Sequence, residues 1–559
     1  MNRTLLFAVL VAFGGVAACG DDSPSTGGGG SGGSGAHGGA GAGAGGAGGA
    51  GGAGGGVPDR YAPLVAALEA DLAASQAYGV SVAVMEGGEV TFTHTLGSKD
   101  AAGAEPLTPH TLMQIGSTTK QMTATALLQK VEAGQVTLDE SLETALPMLE
   151  FALGPTWDDQ ATLHYLISHQ GGVYDYTEWD NKSDDSFLAS LTYGEFASNI
   201  FFMAPPGSFW NYSNPNFILA GLVTEENDTR AWPDIMRQDV FTPLGMDRTF
   251  LRKTEVEADG DYSLSFGLDG SDLTSGGAPH DIAMVDMGDS AWTRPAGLTW
   301  TTPTQQMLWA KFLMEGNDSV LSSALRQEIT SEQVDTLYNE GTLHYGYGMF
   351  VHRGLYDSQG TWYPATVWEH GGNTLSFSNE LYMVPDQDFA IAITSSGLAT
   401  DFSHSVEVAL TTLVDLPTPS TGPSYQVDPA EFVHHVGTYD DAFNVGQVII
   451  TQVGDKLNIS MPDLEAMGYV VTPELQSVSS DIFMLTISGQ TLDLTFIPDS
   501  PGGDSTFIRN RAFVAARAPS APQPTPPKPS RAAIDQLLAR ARMDRLSPIA
   551  FPPALRNRH

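Results

Sequence analysis

The stretch Met113–Gly134, MQIGSTTKQMTATALLQKVEAG, puts a serine at the mouth of an apparent helix, with a lysine three residues later and no arginine. Met122, Leu127, Leu128 and Val131 recur at helical intervals up to Gly134, so Ser117 falls at a helix N-terminus, where unpaired N–H groups favour negative charge. Lys120 then shares the serine's face, one turn away. A serine hydroxyl is a poor nucleophile until a base adjoins it. An amine in a dry site, beside another cation or a phenol, loses its proton and becomes such a base. The plainer reading is a helix-capping serine and a solvated lysine. Against it, Lys120 is the only lysine of the chain with a serine three places before it.

Two further stretches carry matching chemistry. In PPGSFWNYSNPNFILAGLV, Tyr212-Ser213-Asn214 is the only tyrosine with asparagine two residues on. A phenol relays protons, and an amide holds a carbonyl or an amine. In WEHGGNTLSFSN, His370-Gly371-Gly372 ends a strand-like run. The glycines let a substrate backbone approach, and His370 brings a group that ordinarily titrates near neutrality. Glu369 either holds that histidine or faces solvent, and the solvent reading is preferred. His169 in LISHQGG reads as structural. No Cys/His or His-Glu pattern points to a metal, and no cofactor is expected.

Around these pieces the chain reads as α/β of the α+β kind. Residues 58–76 have helical spacing at Tyr61, Leu64, Leu68 and Leu72. GVSVAVMEGGEVTFTHTLG is a hairpin turning at Gly87-Gly88. Strand-like runs return only at HYGYGMFVHRG, ATVWEHGGN and NELYMVPDQDFAIAITSS, before a closing helix in DFSHSVEVALTTLVDL. The sheet is therefore built from both ends of this segment, with helices inserted between. Past a boundary near residue 420, QVIITQVGDKLNISMP and DIFMLTISGQTLDLTFIPD alternate as hairpins turning at Gly454-Asp455 and near Ser488-Gly489. They predict a small antiparallel barrel or sandwich.

Taken in order, IGSTTK, LHYLISHQGGVYDY, PPGSFWNYSNPNF, PLGMDRT, PAGLTWTTPTQQMLWAKFL, HYGYGMF and HGGNTLSFSN resemble the serine β-lactamase and penicillin-binding protein family. The likeness covers roughly residues 60–416 and is nearest to class C β-lactamases and their esterase and D-amino-acid-peptidase relatives. It implies a β-lactamase/DD-peptidase-like antiparallel sheet flanked by helices, with a helical subdomain. It also implies Ser117 as the acylated nucleophile, Lys120 and Tyr212 as the proton-transfer pair, and Asn214 orienting lysine and substrate. His370, Gly371, Gly372 and Asn373 would line the substrate, with the N–H groups of Ser117 and Asn373 facing the oxyanion. Which of Lys120 and Tyr212 is the base stays open.

One departure matters. The β-lactamase pattern has Lys-Thr-Gly where this chain has His370-Gly371-Gly372. A largely neutral histidine supplies no permanent cation for a substrate carboxylate. Ester or amide (peptide-like) substrates are therefore expected above β-lactams. A class C-type β-lactamase and a non-catalytic penicillin-binding-like envelope protein are the alternatives.

The ends differ from the middle. MNRTLLFAVLVAFGGVAACGDDS has a basic start, an apolar run from Leu5 to Phe13 and small residues after it. This reads as an export signal rather than a membrane span, which needs about 20 apolar residues. Val16–Cys19, VAAC, resembles the lipobox of bacterial lipoproteins, which implies lipidation at Cys19, the chain's single cysteine. Simple secretion is the alternative. The Gly27–Gly56 tract then serves as a tether spanning about 30 Å. Its Gly29–Gly33 match to G-x-S-x-G lacks any strand–turn–helix setting. A formal net charge of −39 excludes nucleic acid as partner and makes any membrane hold covalent. The accounting is a signal over 1–19, a linker over 20–57, a hydrolase domain over 58–418 and an all-β accessory domain over 427–516. A tail follows over 517–559, Pro-rich, then briefly helical, and basic through Arg531, Arg540, Arg542, Arg545, Arg556 and Arg558. It reads as a disordered appendage, or as a segment docking on the acidic body or on envelope polymers. Partners expected are a small or peptide-like substrate and the membrane; the oligomeric state is not legible.

Overall fold

The computed structural model describes residues 57–151, 153–176, 183–185, 187–196, 199–270, 272, 277–519 and 530–540. The expected signal, Cys19 and most of the Gly-rich linker lie outside the described residues. Among the described residues no helix is long and apolar enough to cross a membrane.

The N-terminal pattern folds as α1 (Ala62–Ala74) followed by the hairpin β1 (Gly79–Glu86) and β2 (Glu89–Gly97). Gly87 and Gly88 take positive φ at its turn, as a tight hairpin requires. The remaining strands of the sheet come from far along the chain. They are β3 (Val334–Asp335), β4 (Leu343–Tyr345), β5 (Phe350–His352), β6 (Val367–Glu369), β7 (Gly372–Asn373), β8 (Ser378–Val384) and β9 (Phe389–Ser395). All pairings are antiparallel, in the order β2-β1-β9-β8-β6-β5-β4-β3, with β7 pairing β8. The register Val82↔Ile393 and Val84↔Ile391 joins the two ends of the segment one strand in from the β2 edge.

Both faces of β1 are covered, which is why GVSVAVM is apolar almost without alternation. On one face Leu64 and Leu68 of α1, and Val406 and Leu410 of α5 (Ser403–Leu413), pack on Val82, Val84, Ile391 and Ile393. On the other, Ala83, Met85, Ala390 and Ala392 meet the main helical core. That core brings together α2 (Thr119–Glu132), α3 (Asn214–Glu226) and α4 (Pro303–Glu315). The small residues on this face let α4 come close to β1 and β9.

The second sheet comprises β10 (Gly437–Asp441), β11 (Gly446–Val453), β12 (Lys456–Ser460), β13 (Gln476–Ser477), β14 (Ile482–Ile487), β15 (Gln490–Pro498), β16 (Ser505–Asn510) and β17 (Phe513–Arg517). Its order is β12-β11-β10-β17-β16-β15-β14-β13. Ile459 N–H to Pro473 O (2.7 Å) and Leu475 N–H to Leu457 O (3.0 Å) draw the edges together into a nearly closed barrel. Leu492, Leu494 and Phe496 point inward, as their alternation predicts. Part of the tail departs from the disordered reading. Helix α6 (Arg531–Arg540) sinks Ile534, Leu537 and Leu538 into the barrel's core. These three sit at helical spacing, so the segment had an apolar face to bury.

Loops of the hydrolase segment touch the barrel. Ala204 and Phe209 pack on Ile497 and Val514, and Tyr338 O–H donates to Asp493 Oδ2 at 2.8 Å.

Candidate active site

Ser117 sits in a short 3₁₀ turn, Gly116–Thr118, that feeds α2. Gly116 takes φ +51, and a Cβ there would lie 2.5 Å from the Asn373 nitrogen. Gly372 faces it, and a Cβ on Gly372 would lie 1.9 Å from Ile115 O and 2.9 Å from the Ser117 nitrogen. Only two glycines let these backbones meet, and the contact places the Ser117 and Asn373 nitrogens side by side. Ser117 itself is half-buried between fully buried neighbours, so its hydroxyl keeps access from outside.

Helix α2 is buried around most of its circumference, and Lys120 is 0 % exposed. Its Nζ lies 2.7 Å from Ala296 O, 2.8 Å from Asn214 Oδ1 and 2.9 Å from Ser117 Oγ. Burial, reinforced by the nearby Arg511 guanidinium and opposed by Asp175, holds this amine well below the usual lysine range. The carbonyl and amide oxygens can only accept, so each takes an N–H bond of the amine, and the third bond points at Ser117 Oγ; once the amine gives up a proton, it is the serine hydroxyl that the lone pair faces. The Asn214 amide is oriented by Asp175, whose Oδ1 accepts from Asn214 N (2.8 Å) and Nδ2 (3.1 Å). That turns Oδ1 toward the lysine.

Tyr212 comes from the loop ahead of α3. The centre of its ring is 4.9 Å from Lys120 Nζ and 4.4 Å from the Arg511 guanidinium carbon. His169 supports it from behind, with ring centres 4.2 Å apart. The histidine holds φ +58, and its Nδ1 accepts from Ser213 N–H (3.2 Å) and the Asn216 amide (3.3 Å). It buttresses the site, as the structural reading expects.

His370 differs from the near-neutral titrating group expected of it. It is buried, and burial together with Lys120 and Arg511 pulls it down to about 3. Nδ1 donates to the Gly371 carbonyl at 2.5 Å, and Tyr345 O–H donates to Nε2 at 3.1 Å. The ring is a neutral strut. Its carbonyl accepts from Thr118 Oγ1 (2.9 Å), tying the strand to the serine turn. Glu369 overturns the solvent reading. It is buried, with Oε1 3.2 Å from His352 Nε2 and Oε2 accepting from Gly371 N–H at 3.1 Å.

The structure thus brings Ser117, Lys120, Tyr212, Asn214, His370, Gly371, Gly372 and Asn373 into one site. Such a site gathers a serine hydroxyl, a dry amine beside it and two neighbouring backbone N–H groups, the kinds of part that acyl transfer uses. Sequence reasoning missed Asp175, Tyr345 and Arg511. Asp175 stood within GGVYDY, one of the quoted motifs; Arg511 carried no signal, since it belongs to the accessory sheet.

A family model described as Beta-lactamase matches residues 64–415. Among curated proteins, the unguisins hydrolase of Aspergillus campestris is 27% identical over 325 residues, covering 56% of this chain and 57% of that protein. The D-aminopeptidase of Brucella anthropi is 28% identical over 289 residues, covering 49% of each. The chain spans about half the length of these two relatives. Among solved structures, SurE superposes with a TM-score of 0.59 at 21% identity, covering 82% of this chain and 99% of that one. The D-amino acid amidase of Ochrobactrum anthropi SV3 complexed with D-phenylalanine gives 0.54 at 21% identity, covering 64% and 99%. These two likenesses concern the fold.

Proposed function

The chain belongs to the Beta-lactamase family, and from that membership we propose that it is a serine hydrolase acting through an acyl-enzyme on peptide-like amides or esters. D-aminoacyl compounds are the first candidates, because relatives carry the names D-aminopeptidase and D-amino acid amidase. The observation that carries the reading is the fully buried Lys120 Nζ, 2.9 Å from Ser117 Oγ and held there by two oxygens that can only accept, Ala296 O and Asn214 Oδ1.

The Ser117 proton passes to Lys120, directly or through the Tyr212 phenol, as Oγ bonds to the substrate carbonyl carbon. The resulting oxyanion faces the N–H groups of Ser117 and Asn373, where charge develops only in the transition state. The C–N or C–O bond then breaks, and the leaving group takes the proton. Water attacks the Ser117 ester by the reverse route, releasing the acid and restoring the hydroxyl. A neutral His370 in place of a lysine cation argues for substrates without a carboxylate at that position, hence against β-lactams.

We also take the chain as exported and lipid-anchored at Cys19, on the strength of the apolar run Leu5–Phe13 and the VAAC stretch. Cys19→Ala should move the protein to the soluble fraction, and retention in membranes would refute the anchor.

The test is hydrolysis of D-phenylalanine p-nitroanilide and p-nitrophenyl acetate by the full chain beside Ser117→Ala, with mass spectrometry of a fluorophosphonate adduct. Turnover and labelling confined to the wild type are expected. Equal turnover by both proteins rules out the nucleophile. Labelling without turnover favours the binding-protein alternative, and efficient turnover of a chromogenic cephalosporin favours the β-lactamase.

A further inference from the structure

The hairpin β16–β17 turns at Arg511-Ala512, with Asn510 paired to Phe513. Asn510 stiffens the tip. Its Oδ1 accepts from Ala512 N–H at 2.9 Å, and its Nδ2 donates to Asp493 O at 3.0 Å. The tip reaches out of the barrel and grips the loop that carries Tyr212 and Asn214. Arg509, 0 % exposed, donates to Trp210 O at 2.5 Å and to Thr336 O at 3.0 Å. Two residues on, Arg511 lies over the Tyr212 ring and donates through Nε to Asp175 Oδ2 at 2.8 Å. The Asp175 side chain is 1 % exposed, and its other oxygen holds the Asn214 amide.

We infer that Asp175 and Arg511 are a positioning pair, through which the accessory barrel fixes the Asn214 amide and so aims the Lys120 lone pair at Ser117. The inference rests on the acyl-enzyme reading above. A carboxylate has no hydrogen to give, so Asp175 admits only the Nδ2 end of Asn214 and forces Oδ1 onto the lysine. A buried carboxylate needs a cation of its own. The barrel supplies Arg511 for it, a rigid planar fork that also covers the phenol. The hydrolase fold alone holds the acid, and the partner comes from the other sheet.

The two charges pull Lys120 in opposite directions. Arg511 disfavours its protonation and Asp175 favours it. This gives a readout that a merely structural role would not move. The full chain is compared with Arg511→Gln, Arg511→Lys, Asp175→Asn and the double variant Asp175→Asn/Arg511→Gln. The rate of fluorophosphonate labelling of Ser117, and kcat and KM for D-phenylalanine p-nitroanilide, are followed from pH 5 to 10. In Arg511→Gln the acidic limb should move to higher pH, since the lost guanidinium is a charge that disfavours protonation of Lys120. In Asp175→Asn it should move down, while kcat falls roughly 10- to 100-fold with KM little changed as the amide loses its enforced orientation. Arg511→Lys should keep the limb near its wild-type position and recover part of the rate. The double variant should fall between the singles.

Limbs unmoved in folded Arg511→Gln and Asp175→Asn, with rates within twofold of wild type, overturn the pair. Limbs moving in the same direction overturn it as well. Should Arg511→Gln not fold, Arg511→Lys and Asp175→Asn decide alone: identical limbs in both refute the inference. Absence of Ser117-dependent labelling in the wild type overturns the acyl-enzyme reading and this one together, whereas wild-type labelling with unmoved limbs overturns only the pair.

Discussion

Adding one methyl group at Gly372 tests the oxyanion assignment directly. The Gly372→Ala Cβ would stand 1.9 Å from Ile115 O, 2.8 Å from Ile115 C and 2.9 Å from the Ser117 nitrogen. Even close carbon–oxygen contacts in proteins lie at about 3.3–3.6 Å, so the backbones must separate by roughly 1.4 Å. All three blocking atoms are main chain, so no side chain can swing aside to absorb the displacement. β7 has to back away from the serine turn, carrying the Asn373 N–H with it. A donor withdrawn by that distance no longer bonds the oxyanion, and losing one such donor costs about 10²–10³ in kcat, roughly 2.7–4 kcal/mol. The oxygens that hold Lys120, Ala296 O and Asn214 Oδ1, are not among the atoms the new methyl meets, so that cluster should stay assembled. The expected result is therefore a kcat loss of that size with KM changed little. Steady-state kinetics on D-phenylalanine p-nitroanilide and p-nitrophenyl acetate give the numbers, and near-UV circular dichroism confirms a native fold. Gly116→Ala meets the same contact from the other side, 2.5 Å from the Asn373 nitrogen and at φ +51, and should lose activity alike. A folded Gly372→Ala enzyme with kcat within threefold of wild type would refute the assignment.

Lys120→Met removes the amine but keeps much of the volume; kcat/KM should fall about 10²–10⁴-fold while the melting temperature drops by no more than a few degrees, because a buried amine is costly to fold. A retained rate, or a loss explained by unfolding, would count against its role. Stability should fall on acidification below pH 6.5. His370 and His435 are depressed from about 6.5 to about 3 and about 4, so as the pH drops the unfolded chain binds these protons first. Asp441, raised to about 6 by burial, works the other way between roughly pH 6 and 4 and offsets one histidine. Urea midpoints at stepped pH should therefore decline more steeply in wild type than in His435→Gln, and a parallel pair of curves would contradict this. Leu68→Ala, beneath the sheet and away from the chemistry, should cost about 2–5 kcal/mol in urea unfolding and leave kcat unchanged.

Much of the site was legible because its parts are local. The spacing from Ser117 to Lys120 is a property of one helix turn, and the hairpin at Gly87-Gly88 is a property of a few residues. What misled was environment. His370 reads as a neutral-range titrating group by residue type, yet its carbonyl and both ring nitrogens are bonded inside the protein. Glu369 reads as a solvent-facing charge, yet it lies buried against His352 because β5 pairs with β6. Neither outcome follows from neighbours in sequence, since burial is decided by strands that arrive from elsewhere.

The amino-acid order by itself determined the hairpins at Gly87-Gly88 and Gly454-Asp455, which serine and lysine share a face, and that the middle of the chain is a β-lactamase-like unit. Those are short-range matters, set by periodicity and by the few residues that tolerate a turn. Only the tertiary structure decided that Lys120 is stripped of water, that three oxygens surround its Nζ, and that an arginine from the accessory barrel reaches Tyr212 and Asp175. Charge and desolvation act through space over a few ångströms, whatever the distance along the chain, so the cation missing from the serine–lysine stretch had to be found in the fold.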